Sequence, residues 1–219
     1  AKDDIIGATV AQMQRIFQID VKLNTEVLTI KPETKQITLA NKNTLSYDKL
    51  VIATGALQLR PDIKGILAGN IFSLNSLLSA QRINDYFKGL DAQNILVLGG
   101  GFIGLRTAEA LTNSNTKVNV IDSASHILSD FDYDFATMIK QKISSSRVSF
   151  YTNTSVNKIA SKKAFLSNGE TINYDMAVIS TGIKPLVKLP ILSDIELSET
   201  GGIKVNEYLQ TNIEDIYAC

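Results

Sequence analysis

The sequence predicts an α/β protein in which one unit, built on a parallel sheet with an antiparallel β-meander, is inserted into a second unit of the same type. Residues 95–98 form a charge-free apolar run, followed by three glycines and then by apolar residues at helical spacing. This order is typical of a buried parallel strand, a tight turn and a helix. Residues 47–55 and 174–182 align without a gap, each after a predicted meander. Such a repetition indicates two related units in one chain.

Three glycines follow the buried strand at informative positions. Gly99, Gly101 and Gly104 match G-x-G-x-x-G, whose glycines permit a tight turn, a close approach of backbone to a pyrophosphate, and close packing of helix on strand. The next apolar strand, residues 117–121, ends at Asp122, 18 residues after Gly104. A ribose-binding acid is expected about 20 residues after the last glycine. The pattern predicts a Rossmann-like dinucleotide site, against the alternative of an ordinary glycine-rich turn.

A P-loop is the nearest rival interpretation, because Gly99 and Gly104 also satisfy the first half of that motif. The P-loop requires a lysine directly after its second glycine, and this chain has Leu105 there. The sequence therefore argues against an NTPase.

The composition is that of an ordinary globular chain. Its 219 residues include 44% hydrophobic side chains, with 22 basic and 22 acidic residues. This balance favours neither nucleic-acid nor membrane binding, and no apolar run approaches the roughly 20 residues of a membrane span. We expect a cytoplasmic protein. Because Cys219 and His126 are the only cysteine and histidine, we expect no disulfide, no metal site and no catalytic triad.

Local patterns predict the remaining elements. The apolar residues of 5–17 recur at loosely helical spacing without a strong N-terminal cap. Residues 57–69, which contain Pro61 and two glycines, are predicted to form a loop, and Asn168-Gly169 is a strong hairpin signal. Further helices are expected at 77–87 and 131–143, and strands at 21–23, 27–30, 37–39, 50–53, 147–151, 156–159, 164–166, 171–173 and 175–180.

Five segments, in order, carry a resemblance to a known family. They are Y-D-K-L-V-I-A-T-G-A (47–56), V-L-G-G-G-F-I-G (97–104), Y-D-M-A-V-I-S-T-G-I-K-P (174–185), G-G-I-K-V-N-E-Y-L-Q-T (201–211) and I-Y-A-C (216–219). Together they resemble the pyridine nucleotide-disulfide oxidoreductases, and within that family the branch of NADH oxidases, NADH peroxidases and coenzyme A-disulfide reductases. The resemblance covers essentially the whole chain.

The resemblance implies an NAD-binding domain at residues 70–182, inserted in an FAD-binding domain made of residues 1–69 and 183–219. Asp122 would bind the adenosine ribose and repel a 2′-phosphate, so NADH is expected to be preferred over NADPH. The residues implied to lie against FAD are Val27, Ala53, Thr54 and Gly55. Those implied to hold NADH are Gly99, Gly101, Phe102, Ile103 and Gly104, with Thr181 and Gly182 opposite.

The chain also departs from the family. The family's N-terminal glycine-rich FAD segment is absent, and the chain stops where the family continues with Gly-Asp. We therefore expect a fragment that holds only part of the FAD domain. Within the NAD motif, Arg106 stands where many members have a glutamate, and we expect it to point outward. Phe102 replaces a common tyrosine.

The expected function is a flavoprotein oxidoreductase that passes hydride from NADH to FAD and on to oxygen, peroxide or a disulfide. One alternative is a catalytically incomplete NADH-binding fragment. Another is the reductase component of an electron-transfer or nitrite-reductase system, with a redox protein as acceptor. We expect the parent protein to be a homodimer.

Overall fold

The chain divides into two compact units in a computed structural model that describes residues 9–91, 94–113, 115–143 and 147–219. The flanking unit comprises the residues up to Gly55 together with Leu186–Cys219, and the inserted unit is Ala56–Pro185. One unit interrupts the other, as the sequence predicts, and the α/β fold class is confirmed. The domain boundaries after residues 69 and 182 stay predictions.

The helices are α1 (Val10–Phe17), α2 (Leu77–Lys88), α3 (Phe102–Leu111), α4 (Tyr133–Ile143) and α5 (Lys188–Ile191). The strands are β1 (Val27–Lys31), β2 (Gln36–Leu39), β3 (Thr44–Ser46), β4 (Leu50–Ile52), β5 (Ala56–Gln58), β6 (Ile71–Ser73), β7 (Asn94–Leu98), β8 (Lys117–Ile121), β9 (Val148–Tyr151), β10 (Val156–Ala160), β11 (Lys163–Leu166), β12 (Thr171–Asn173), β13 (Met176–Ile179), β14 (Ile183–Pro185) and β15 (Ile216–Ala218). Within the described ranges, no helix has the length and apolarity that crossing a membrane requires.

The inserted unit is built on a parallel sheet with strand order β6-β13-β7-β8-β9. Ile95 and Val97 of β7 pack in a cluster with Ala108 of α3, whereas Leu96 and Leu98 pack in a cluster with residues of β10 to β12. Successive side chains of a strand point to opposite faces. Helices therefore cover one face of the sheet and the meander covers the other, which explains why β7 has no charged position.

The meander of the inserted unit is antiparallel, with strand order β10-β11-β12. Its last turn contains the predicted Asn168-Gly169 pair. Gly169 has a φ of +88°, and the Glu170 amide donates to Asn168 Oδ1 at 3.0 Å. Both the meander and its hairpin signal are confirmed.

The flanking unit contains an antiparallel sheet of order β1-β2-β3 and a parallel pair of β4 with β15. Ile30, Ile52 and Ile216 are buried in its core, together with Ala218. The return segment after the inserted unit therefore completes the core that the first segment begins.

Two local predictions for the first 25 residues are wrong. α1 does have a strong cap, because the Gln12 amide donates to Thr9 Oγ1 and the Thr9 amide donates to Gln12 Oε1 in a capping box. The apolar positions at 5–8 lie outside the described residues. The sequence predicts that strands at 21–23, 27–30 and 37–39 form one meander. Val21 and Leu23 are not in a strand, and the observed meander consists of β1, β2 and β3.

The predicted loop at 57–69 is also partly wrong. Its first residues belong to β5, which pairs antiparallel with β14 through Leu57 and Lys184. This pairing joins segments more than 120 residues apart, so no local pattern could signal it. It positions one wall of the site described below.

The ion pair between Lys35 and Asp215 ties the meander of the flanking unit to the segment before β15, with a separation of 2.6 Å. The hydrogen bond from Lys35 lowers the pKa of Asp215 below its usual 3.8, and the same contact raises the pKa of Lys35 above 10.5. A lowered carboxyl pKa stabilises the fold above pH 3.8, and this stability is lost as the pH falls through the folded pKa.

We expect Asp215→Asn to lower the melting temperature slightly at pH 7 and to make no difference at a pH below the folded pKa, where the wild-type carboxyl is protonated as well. Thermal unfolding from pH 2 to 7 measures this. Glu196→Gln, which removes the carboxylate of the exposed pair with Lys204, is the matched control. Parallel pH profiles for wild type and Asp215→Asn would contradict the prediction.

Candidate functional site

The turn after β7 is shaped by contacts that only a glycine permits. Gly99 has a φ of +105°, and a Cβ there would lie 2.4 Å from the Ser180 carbonyl oxygen. The Ser180 amide donates to the Leu98 carbonyl at 2.7 Å, and its hydroxyl donates to the same oxygen at 3.0 Å. The turn is thus fixed against the carboxyl end of β13. Ser180 was not predicted as a site residue, and the one sequence signal is that it replaces Ala53 in the aligned repeat.

The other two motif glycines have opposite surroundings. A Cβ at Gly104 would lie 1.9 Å from the Gly99 carbonyl oxygen, so Gly104 permits the close approach of α3 to the turn. A Cβ at Gly101 would have no neighbour within 4 Å. Gly104 is therefore needed by the fold, whereas the space beside Gly101 is open to a ligand.

Helix α3 begins directly after Gly101, which is its N-cap, and no side chain of the described residues caps it. The first amides of a helix lack intrahelical partners and carry a partial positive charge. Phe102 and Ile103, in the first turn, are 67% and 50% exposed. This helix end therefore presents amide donors and an exposed apolar surface side by side.

Asp122, at the end of β8, is held by backbone amides. Its Oδ2 accepts from the Gly100 amide at 2.5 Å, and its Oδ1 accepts from the Ala124 amide at 2.8 Å. A carboxylate oxygen can accept more than one hydrogen bond, so both oxygens keep acceptor capacity. The side chain is thus oriented by the glycine turn and can still receive donors from a ligand.

Thr181 and Gly182 follow β13 and are held by the segment around β5. The Thr181 hydroxyl donates to the Leu59 carbonyl at 3.0 Å, and Gln58 Nε2 donates to the Gly182 carbonyl at 2.7 Å. Gly182 has a φ of +103°. Gln58 was not predicted as a site residue, because its role depends on the β5 pairing that the sequence does not signal.

These features line one cleft of about 620 Å³ within the inserted unit, which we call the glycine cleft. Among the described residues, no lysine or arginine lines it, whereas Asp122 and Asp130 do. Gly104 lies beneath it as a packing residue. The predicted residues that the structure brings together along its walls are Gly99, Gly101, Phe102, Ile103, Asp122, Thr181 and Gly182.

Arg106 and His126 do not line the glycine cleft. Arg106 is exposed on α3 and forms an ion pair with Glu109, which agrees with the expectation that it points outward. His126 Nδ1 lies 2.8 Å from the Ile127 carbonyl oxygen, and the imidazole packs against Tyr133. Among the residues that the structure describes, no cluster of histidine, cysteine or acidic side chains could hold a metal ion.

The flanking unit has a second cleft, also of about 620 Å³, with a largely apolar lining. Val27, Ala53 and Thr54 line it, as predicted for an FAD site, whereas Gly55 is not among its lining residues. The Thr54 hydroxyl donates to the Leu186 carbonyl at 2.9 Å. Gly55 has a φ of +70°, and a Cβ there would meet nothing within 4 Å. These walls fit a flat, mainly apolar group.

A strand, a glycine turn, a helix without a side-chain cap and a second strand ending in an acid are the combination typical of a dinucleotide-binding unit. A family model for pyridine nucleotide-disulphide oxidoreductases matches residues 4–219. The chain belongs to this family, and the predicted resemblance is confirmed.

Three known proteins illustrate how similar the chain is to other proteins in sequence and structure. An NADH oxidase of Enterococcus faecalis is 28% identical over 98% of this chain and 47% of its own length. An NADH-rubredoxin oxidoreductase of Clostridium acetobutylicum is 31% identical over 87% of this chain and 46% of its own length. The structure of reduced Bacillus anthracis CoADR-RHD matches with a TM-score of 0.91 and 28% identity, over 100% of this chain and 41% of the other. The chain thus spans about half the length of the curated relatives it matches.

Proposed function

We propose that the whole protein is an NADH-dependent FAD flavoprotein oxidoreductase and that the inserted unit is its NADH-binding part. The observation that carries the proposal is the open space beside Gly101 at the uncapped start of α3, next to a carboxylate fixed by the glycine turn. A pyrophosphate needs close access to backbone amides, and a ribose needs an oriented acceptor. Both requirements are met within one cleft.

The charges in the glycine cleft support a preference for NADH over NADPH. The 2′-phosphate that distinguishes NADPH would meet Asp122, and no cationic side chain in the described part of the chain lines the cleft to compensate for it. The pyrophosphate common to both cofactors is matched by the amides of α3 instead. Selectivity therefore rests on repulsion at the ribose end.

The nicotinamide end would lie against Phe102 and Ile103, with Thr181 and Gly182 opposite. The exposed aromatic and aliphatic surfaces at the start of α3 suit a flat ring. The Leu59 amide and Gln58 Nε2 both donate to the Gly182 carbonyl and so hold the opposite wall in place. These residues orient the ring and exclude water from one side of it.

The flanking unit would hold the adenine and pyrophosphate of FAD at Val27, Ala53, Thr54 and Gly55. When bound, NADH supplies a hydride and FAD takes up the electron pair for transfer to an acceptor. Oxygen, peroxide or a disulfide would be that acceptor, and the relatives named above differ in this respect. The whole protein would act as a homodimer in the cytoplasm.

A second candidate is a binding module that is catalytically incomplete, and the coverage of the relatives favours it for the chain as it stands. The parts of these relatives that match the chain make up 46–47% of their lengths. Such a chain would bind NADH and not retain FAD. A reductase component that passes electrons to a redox protein is a third candidate, favoured by the rubredoxin-linked relative.

Isothermal titration with NADH and a flavin absorbance spectrum separate these functions. NADH binding with one FAD per chain supports the flavoprotein, and NADH binding by colourless protein supports the binding module. NADH-driven reduction of an added redox protein supports the third candidate. Absence of NADH binding to the folded chain contradicts all three.

We expect Gly101→Ala to weaken NADH binding without a comparable change in the free energy of unfolding. The backbone at Gly101 has a φ of −73° and a Cβ there meets no protein atom, so the free energy of unfolding should change by less than about 0.5 kcal/mol. The same Cβ would occupy the space of the pyrophosphate, and NADH affinity should fall at least about tenfold.

Urea denaturation and isothermal titration of the Gly101→Ala variant test this pair of effects. Gly202→Ala is the control, because a Cβ at Gly202 also has nearly open surroundings but lies in the flanking unit. Unchanged NADH affinity in Gly101→Ala would argue that the pyrophosphate binds elsewhere.

A further inference from the structure

A second cavity of the inserted unit lies beside the edge strand β6, at its carboxyl end. Its volume of about 460 Å³ is within the usual range for small-molecule sites. β5, β6 and the first two turns of α2 form its walls, and none of the described residues that line it is acidic. It shares one lining residue, Gln58, with the glycine cleft.

Two arginines give this cavity its charge. Arg60 Nε donates to Ser73 Oγ at 3.3 Å, which holds the Arg60 side chain against the wall. Among the ion pairs of the described residues, none joins Arg60 or Arg82 to a carboxylate, including the sequence neighbours Asp62 and Asp85. The cavity therefore carries two guanidinium groups whose charges are not compensated by an ion pair in the described part of the chain.

The start of α2 is capped by its own serine side chains. The Ser79 amide donates to Ser76 Oγ at 3.1 Å, and the Ser76 amide donates to Ser79 Oγ at 2.9 Å. The Asn75 amide donates to the same Ser79 oxygen at 3.1 Å. These contacts occupy the amides of Ser76 and Ser79 at the start of α2. We therefore assign recognition of an anion mainly to the arginine side chains, whose planar donors match phosphate and carboxylate oxygens.

Apolar side chains also line the cavity. Leu57 and Leu78 are 54% and 57% exposed, and Phe72 is partly buried beside them. We propose that the cavity binds a small organic anion whose phosphate or carboxylate is held by Arg60 and Arg82, and whose apolar part lies against these three side chains. An inorganic anion would use only the charged half of the site.

Isothermal titration of the chain with phenyl phosphate, benzoate and inorganic phosphate tests the proposal. We expect phenyl phosphate or benzoate to bind more tightly than inorganic phosphate, and whichever binds better identifies the anionic group. Affinity should fall at least about tenfold in the Arg60→Gln/Arg82→Gln double variant, because hydrogen bonds to charged groups are lost. Arg15→Gln/Lys22→Gln, which removes the same charge from exposed positions of the flanking unit, should have no effect.

Equal losses of affinity in the two double variants would overturn the proposal, since charge alone would then explain binding. Failure of both organic anions to bind would overturn it as well.

Amide NMR of the unmodified chain shows where the anion binds even if the arginine variant does not fold. Shifts at Ser73 and Ser79 support the site, and shifts confined to Gly101 and Phe102 place the anion in the glycine cleft and overturn it. NADH affinity of the arginine variant should equal that of wild type, so failure here is distinguishable from failure of the NADH proposal.

Discussion

Replacing Gly99 by alanine should lower the free energy of unfolding by about 2–6 kcal/mol. A non-glycine residue at a positive φ costs of order 1–3 kcal/mol, and the φ here is +105°. The added Cβ would also lie 2.4 Å from the Ser180 carbonyl oxygen and 2.7 Å from its carbon, which are rigid backbone atoms. Overpacking of this kind typically costs a further 1–3 kcal/mol. Urea denaturation followed by circular dichroism measures the loss.

Gly169→Ala is the matched control for this substitution. Gly169 also has a positive φ, of +88°, but a Cβ there has no neighbour within 4 Å. Its variant should therefore show only the conformational cost. Similar losses in the two variants would mean that the contact between Gly99 and Ser180 does not constrain the turn.

Asp122→Asn should weaken NADH binding at least about tenfold and reduce the preference for NADH over NADPH. Both carboxylate oxygens accept from backbone amides, those of Gly100 and Ala124. An asparagine can place an oxygen toward one amide only, so its NH₂ group must face the other donor. The substitution therefore removes the charge that repels a 2′-phosphate and also leaves one amide without its acceptor, a loss of about 1–3 kcal/mol.

Isothermal titration of NADH and NADPH with both proteins measures this effect as a ratio of dissociation constants. Asp130→Asn is the control, because it removes a negative charge from the same cleft and leaves the contacts of Asp122 intact. An equal change of the ratio in both variants would show that net charge, and not the position of Asp122, sets the cofactor preference.

The parts of the site that a local pattern encodes could be predicted from the sequence. The spacing of Gly99, Gly101 and Gly104 predicts the turn and the start of α3, and the end of an apolar run places Asp122 at the same edge of the sheet. Parallel strands meet their ligands at their carboxyl ends. These facts predict where the cleft lies, but not the wall that β5 contributes.

The parts that depend on distant pairing could not be predicted. β5 and β14 have three residues each and lie near the two ends of the inserted unit in sequence. They pair through Leu57 and Lys184. The local sequence around Gln58 predicts a loop, so its hydrogen bond to the Gly182 carbonyl could not be predicted. Ser180 is similar, because only the packing of β13 against β7 shows that its hydroxyl holds the glycine turn. The capping box of α1 could have been predicted, because Thr9 followed three residues later by Gln12 is its sequence pattern.

Amide NMR of the chain during titration with NADH tests the central claim most directly. If the inserted unit binds NADH as proposed, the largest shifts will fall on the amides of Gly101, Phe102 and Ile103, at the uncapped start of α3, and on those of Gly100 and Ala124, which donate to Asp122. NADPH should cause smaller shifts at the same concentration. Saturable NADH binding that leaves these five amides unmoved would contradict the assignment of the glycine cleft as the NADH site.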